Sequence, residues 1–204
     1  MEKNKKLHSI LYRVLKPIAG PWFLFHYNPK IIGKENIPKD GPIVIVGNHK
    51  HLMDQCGPIM ATRIVIHFLA KDPYFKDWKT RWFFKSVGCI PVNREIHDKE
   101  AKETAIEVLK QGGTIGLFPE GTRNRTDKFL LPFKFGAVSM AKKTDAYLVP
   151  FGITGDYKFR SKNLVYRFGK PFKVTNMELA DANKRLENAI GNLMKKSYRE
   201  SNKK

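Results

Sequence analysis

Ile43-Val44-Ile45-Val46-Gly47-Asn48-His49-Lys50-His51-Leu52-Met53-Asp54 is the stretch on which the fold turns. Four branched aliphatic residues in a row, entered through the turn-rich Ile37-Pro38-Lys39-Asp40-Gly41-Pro42, read as a buried strand. A histidine emerges where that strand ends, and a carboxylate follows five residues on. A second string, Phe118-Pro119-Glu120-Gly121-Thr122-Arg123, follows another apolar run, Thr114-Ile115-Gly116-Leu117. It puts a carboxylate, a flexible backbone and a guanidinium into one turn. A base beside an anion clamp suits chemistry at a hydroxyl of a phosphorylated substrate.

Outward from that strand, apolar runs alternate with helical patterns. A short helix is predicted near Gly57-Pro58, and a strand over Ile64-Val65-Ile66-His67-Phe68-Leu69. Tyr74, Phe75, Trp78, Trp82 and Phe83 mark a helix with an aromatic face, expected to pack in the core. Cys89-Ile90-Pro91-Val92 reads as a short strand, residues 97–111 as a helix, and Gly112-Gly113 as its stop. Then come a strand over 114–118, a helix over 136–143, and strands over 147–153 and 164–168. Asn176 is placed to cap a long last helix whose apolar face is Leu179, Ala182, Leu186, Ala189, Ile190 and Leu193. Strands alternating with helices argue an α/β fold, with a largely parallel central sheet flanked by helices. No repeat or long linker divides it, and the lysine-rich C-terminus reads as a fraying, solvated tail.

The length of 204 residues suits one domain of ordinary size, and a hydrophobic fraction of 42% suffices for a core. Against 19 Asp and Glu stand 38 Lys and Arg, a net charge of +19 with histidine neutral. Such a field attracts nucleic acid or an anionic membrane surface. Cys56 and Cys89 give no disulfide framework and suit a reducing cytosol.

At the N-terminus Leu7, Ile10, Leu11, Val14, Leu15 and Ile18 recur at helical spacing, off which Arg13 and Lys16 lie. Gly20-Pro21 is expected to break that helix before the aromatic run from Trp22 to Tyr27. The charges, Pro17 and the lack of a small-residue cleavage site argue against a signal peptide, and no run approaches the roughly 20 apolar residues of a spanning helix. The stripe either packs on the domain or lies in a membrane interface, and periodicity alone does not separate the two. The expected organisation is a membrane-interface helical segment over 1–28 and the main domain over 29–204.

Five residues along a regular helix rotate a side chain by roughly 140°, so His49 and Asp54 do not share a helical face. They meet if His49 sits at the strand end and Asp54 folds back from the following turn, at the carboxyl edge where open α/β sheets bind ligands. The carboxylate then fixes the imidazole tautomer and stabilises the imidazolium.

The sequence resembles the glycerolipid acyltransferase family, which includes bacterial 1-acylglycerol-3-phosphate acyltransferases. The likeness rests on four ordered blocks between Glu35 and about Phe172. The first is Asn48, His49 and Asp54 of an NHxxxxD pattern. The second is Gly88, Ile90, Pro91, Val92 and Arg94; the third is Phe118 through Arg123, followed by Pro132-Phe133-Lys134 and Gly136-Ala137. The fourth is Val149-Pro150. The resemblance implies an enzyme, a 1-acylglycerol-3-phosphate O-acyltransferase. Such an enzyme moves a fatty acyl chain from an acyl-CoA or acyl carrier protein thioester to the free hydroxyl of lysophosphatidic acid, giving phosphatidic acid, with no cofactor or metal. It implies that His49 is the general base and Asp54 its orienter. It places the acceptor phosphate on Glu120, Gly121, Thr122 and Arg123, with Arg94 and Lys71 adding positive charge. Bidentate arginine suits a phosphate monoester. Two positions depart from the pattern: Asn93 where the family often has Asp, and His51 where it often has Ser.

The expected partners are an anionic membrane surface, lysophosphatidic acid and the acyl donor, with peripheral attachment at the cytoplasmic face. The acceptor alternative is another glycerolipid or lysophospholipid. Residues around Trp78 and Trp82 have bordering the acyl path as their functional alternative. A covalent hydrolase lacks a Gly-x-Ser-x-Gly elbow. His49 and His51 resemble half of a zinc site, but the remaining histidines form no second cluster. A basic nucleic-acid-binding protein is the non-enzyme alternative; it explains the charge but neither block, and no RNA-binding or zinc-finger signature supports it.

Overall fold

The computed structural model describes residues 2–93 and 98–201, with side chains from Tyr12 onward. In chain order come helix α1 (Glu2–Tyr27), strands β1 (Lys30–Ile32) and β2 (Ile43–Gly47), helix α2 (Cys56–Ala61) and strand β3 (Ile66–Lys71). Helices α3 (Pro73–Lys76) and α4 (Trp78–Ser86), strand β4 (Ile90–Val92), helix α5 (Lys99–Lys110) and strand β5 (Thr114–Leu117) follow. Helix α6 (Gly136–Thr144), strands β6 (Tyr147–Thr154) and β7 (Val165–Phe168) and helix α7 (Leu179–Ser201) complete the fold.

Hydrogen bonding orders the 7-stranded sheet as β1-β7-β6-β2-β5-β3-β4. Strands β6, β2, β5, β3 and β4 run parallel; β7 is antiparallel to β6, and β1 pairs parallel with β7. The buried strand read from Ile43 onward is therefore central, with Ile43 opposite Thr114 on one side and Tyr147 on the other. Because the neighbours are parallel, the chain leaves β2, β5, β3 and β4 along one edge of the sheet. His49, Phe118 to Glu120, and Lys71 all emerge there.

Alternation within β2 builds both layers. Val44 and Val46 meet Ile106 and Leu109 of α5, Val138 of α6, and Leu186 and Ile190 of α7. Ile43 and Ile45 point the other way, into a cluster with Phe68, Phe151, Tyr166 and, from α1, Phe23.

Helix α1 runs without interruption through Pro17, Gly20 and Pro21, so the expected break at Gly20-Pro21 is absent. Tertiary packing outweighs the lost backbone hydrogen bonds. Tyr12 and Phe23 are buried, and a Cβ on Gly20 would fall 2.6 Å from the Met60 sulfur, so this glycine serves close approach to α2 rather than chain reversal. Lys16 donates to the Thr62 carbonyl. Of the stripe found by periodicity, Val14 is 50% and Ile18 69% exposed while Leu15 is half-buried, and Trp22 and Phe25 continue the outward face. The helix thus shares the core of the sheet through one face and presents a second apolar face outward.

The aromatic helix expected near Tyr74 is two helices, divided at Asp77, whose side chain caps α4 by accepting from Lys79 N at 3.1 Å. Trp78 and Trp82 are 79% and 65% exposed, so they do not pack in the core as expected. Ile64 and Val65 precede β3 instead of belonging to it, and β1 was not anticipated from the sequence. Asn176 does not cap α7. The chain turns first, with Met177 N donating to Val174 O, and the first helical bond runs from Ala182 N to Glu178 O. Among the described residues no helix is long and apolar enough to cross a membrane.

Candidate active site

The chain leaves β2 with its ladder extended by a side chain. Asn48 Oδ1 accepts from Ile153 N at 2.7 Å, and Asn48 Nδ2 donates to Ile153 O at 3.1 Å. His49 follows, and the segment after it turns back, with Asp54 N donating to His51 O at 3.3 Å. That turn brings the fully buried Asp54 carboxylate against the imidazole, with His49 Nδ1 to Asp54 Oδ2 at 2.7 Å. The same oxygen accepts from Lys50 N at 2.6 Å and His51 N at 2.7 Å. The other oxygen accepts from the Tyr157 hydroxyl at 2.5 Å. With Nδ1 protonated and directed at the carboxylate, the Nε2 lone pair is bare, and among the described residues it has no hydrogen-bond partner. The Phe118 ring stacks on the imidazole, with centroids 4.2 Å apart and planes at 10°, and fixes the tilt of the ring.

The loop after β5 is bonded directly to this histidine. Glu120, 5% exposed, accepts from His49 N at 2.7 Å through Oε1 and from Leu131 N at 2.9 Å through Oε2. Asn124 N donates to His49 O at 2.7 Å. Gly121 closes a turn onto Phe118 O at 3.1 Å with φ of 71°, a left-handed backbone that disfavours a side chain. The first and third sequence blocks therefore form one hydrogen-bonded unit. Burial pushes the Glu120 carboxyl above its usual range, and the two amides pull it back.

Of the residues expected at the acceptor phosphate, Glu120, Gly121, Thr122 and Arg123 lie on this loop. Thr122 is exposed and Arg123 half-buried. Glu120 differs from the expectation in one respect: both of its oxygens are engaged by backbone amides. Lys71 is exposed at the end of β3, two strands from β2, which is about 10 Å across the sheet. Arg94 lies outside the described residues. A cleft of about 260 Å³, lined in part by His49, Lys50, Glu120, Asn124, Phe129 and Tyr198, opens beside the pair. Another hollow, of about 280 Å³ near β4, is lined by Asp72, Asp98 and Glu100, carboxylates that repel an anionic ligand.

His51, one of the two departures, is held away from the His49 ring. It stacks on Tyr157 with centroids 4.1 Å apart, and its Nδ1 accepts from Met53 N at 3.2 Å. Burial, opposed by Asp54 and aided by the Arg123 and Lys50 charges, lowers its pKa below the usual value. Burial raises Cys56 and Cys89 each to about 12, so both thiols stay protonated. Among the described residues no group of three or more His, Cys, Asp or Glu side chains is placed to hold a metal ion.

Sequence reasoning missed Tyr157 and Tyr166. Tyr157 is 103 residues from the carboxylate it touches, and the Tyr166 hydroxyl lies 2.5 Å from that of Tyr157. No local spacing signals such a pair.

Residues 28–154 match the protein-family model described as Acyltransferase. The chain is 36% identical over 141 residues to a 1-acyl-sn-glycerol-3-phosphate acyltransferase of Borreliella burgdorferi, covering 68% of this chain and 56% of that one. It is 35% identical over 129 residues to the Bacillus subtilis protein of the same description, covering 62% of each. It therefore spans less than two thirds of the length of either relative. Its structure superposes with a TM-score of 0.70 on the 1-acyl-sn-glycerophosphate (LPA) acyltransferase PlsC of Thermotoga maritima, at 25% identity, covering 94% of this chain and 76% of that one.

Proposed function

The chain belongs to the acyltransferase family, and from that membership we propose that it transfers a fatty acyl chain from an acyl thioester to the free hydroxyl of lysophosphatidic acid, giving phosphatidic acid. The relatives carrying that description support the reaction. The observation that carries it is the unit described above: a base with an open Nε2, fixed by Asp54, bonded through its own backbone to the Glu120–Asn124 loop. His49 Nε2 takes the proton as the acceptor oxygen attacks the thioester carbonyl. Collapse of the tetrahedral intermediate breaks the carbon–sulfur bond, and the leaving thiolate takes that proton from the imidazolium. No acyl-enzyme is needed, in keeping with two protonated, half-buried cysteines. Arg123 binds the acceptor phosphate, with Gly121 and Thr122 beside it, and Lys71 and Arg94 add positive charge. Glu120 holds the loop against His49 and does not touch the anion, which it would repel.

The enzyme works at an anionic membrane surface, bound peripherally at the cytoplasmic face. Val14, Ile18, Trp22 and Phe25 of α1 supply the inserting face, and Trp78 and Trp82 of α4, flanked by Lys79, Arg81 and Lys85, supply a second. The donor is acyl-CoA or acyl carrier protein, and no cofactor takes part. One assay tests the reading: each donor is paired with lysophosphatidic acid, glycerol-3-phosphate and a lysophospholipid without a terminal phosphate. Transfer only to lysophosphatidic acid is expected. No transfer to it from either donor, or equal transfer to the lipid without a terminal phosphate, overturns the assignment.

A further inference from the structure

None of the four sequence blocks includes Tyr157, yet its hydroxyl is the closest donor to the Asp54 carboxylate. We infer that Tyr157 is a positioning residue for the reaction proposed above, on which this inference rests: its hydroxyl holds Asp54 in the orientation that directs His49 at the acceptor. Asp54 Oδ2 receives the imidazole and two backbone amides, while Oδ1 receives Tyr157 at 2.5 Å. Tyr157 is therefore the side-chain donor on the oxygen that the histidine leaves free, and it fixes the rotation of the carboxylate about its terminal torsion, which is otherwise broad. Burial raises the Tyr157 phenol well above its usual value, so it stays a donor across the working range.

The donor is itself held from both sides. Tyr166, fully buried on β7, places its hydroxyl 2.5 Å from that of Tyr157 and 3.3 Å from the Met53 carbonyl. The Tyr157 proton points at Asp54, so the Tyr166 proton is the one shared between the two rings, and the chain of donors polarises toward the carboxylate. The space for Tyr166 is made by Gly57, where a Cβ would fall 2.1 Å from the ring. The Tyr157 ring lies between His51, stacked at 4.1 Å, and Tyr27 at the end of α1, edge-on at 5.4 Å. Arg160 N donates to His26 O at 2.6 Å and closes the loop onto α1.

Tyr157→Phe keeps the ring and both aromatic contacts and removes only the hydroxyl. The kcat for acyl transfer to lysophosphatidic acid is expected to fall about tenfold or more, the effect of losing one hydrogen bond to a charged group, with the acceptor KM little changed. The direction of the pH effect is fixed. Without this donor the negative charge on Asp54 loses its hydrogen bond at Oδ1 and is less stabilised. The acid limb of the kcat/KM profile therefore moves to higher pH. The other groups facing the pair (Glu120, Lys50, His51, Arg123 and Cys56) are untouched by the change. Tyr166→Phe keeps the bond to Asp54 and should move the limb the same way by less. A proton spectrum gives a readout independent of turnover: the downfield His49 Nδ1–H resonance, identified by its loss in His49→Gln, should change position and exchange faster with water in Tyr157→Phe.

Unchanged kcat, acid limb and resonance, or a lower Tm with all three unchanged, overturns the inference. If Tyr157→Phe fails to fold, Tyr166→Phe decides, and an unmoved limb and resonance there count against it. If the wild-type protein transfers no acyl group to lysophosphatidic acid, the functional reading fails, and the proton spectrum still decides whether Tyr157 holds Asp54.

Discussion

Glu120 is a buried carboxylate with two backbone amides as its ligands, one of them from His49 itself. In the proposed reaction, any effect of Glu120 on catalysis is therefore exerted through the backbone of His49. Glu120→Gln keeps the shape but turns an NH2 group toward an amide that also donates. We expect about 1–3 kcal/mol loss in a denaturant titration, the cost of an unsatisfied buried donor, with a fall in kcat. Normal stability together with normal kcat would contradict a bracing role. Arg123, half-buried on the same loop, is free of that bracing network. Arg123→Lys keeps the charge and loses the planar fork, so the acceptor KM should rise while the donor KM stays put; the reverse pattern would place the phosphate elsewhere.

At the scale of elements, Asp98 links the end of β4 to the start of α5. Asp98 accepts from Ala101 N at 2.9 Å as the cap of α5 and from Asn93 N at 2.8 Å at the end of β4. Those amides hold its carboxyl below the usual range. A lowered folded pKa means that the stabilisation is present above the unfolded value and is lost as pH falls through the folded one. Asp98→Ala should cost about 1 kcal/mol at neutral pH, and the difference from wild type should vanish in strongly acidic buffer. A difference that persists in acid would show that packing, not the charge-assisted cap, is responsible. Helix α2 carries a different constraint. Gly57→Ala puts a methyl group into the Tyr166 ring, which is fully buried, so overpacking of about 1–3 kcal/mol is expected, with turnover reduced through Tyr157. A thermal melt and a kcat measurement on the same sample check both effects.

At the scale of the whole molecule, α1 contacts the loop whose Tyr157 reaches Asp54. Tyr12 and Phe23 are buried against the domain, each contributing about 1.5–3 kcal/mol, and Tyr27 packs on Tyr157. Deleting residues 1–27 should therefore lower Tm, abolish binding to anionic vesicles and reduce acyl transfer even to detergent-dispersed acceptor. Retained Tm and dispersed-substrate activity with binding lost would make α1 an anchor alone. The net charge of +19 acts at this scale as well. Its share of vesicle binding should weaken with salt, while that of the inserted apolar face persists.

The central strand, the parallel layering and the four blocks were legible because each is written in contiguous residues. Ile43 to Val46 must be buried on any fold, and the spacing from His49 to Asp54 is short enough for one turn to close. Periodicity also picked out Val14 and Ile18, but not their surroundings: a second face of α1, through Tyr12 and Phe23, packs inward and leaves those two side chains exposed. The aromatic run from Tyr74 to Phe83 likewise did not reveal that Trp78 and Trp82 face outward. What only the tertiary structure decided is which distant groups converge. Glu120 reaches the His49 backbone because β2 and β5 are neighbours in the sheet. Tyr157 reaches Asp54 because β6 lies on the other side of β2 and delivers the loop that follows it. Hydrogen bonds across 71 and 103 residues depend on strand order, and strand order is a property of the packed sheet that no local pattern of residues encodes.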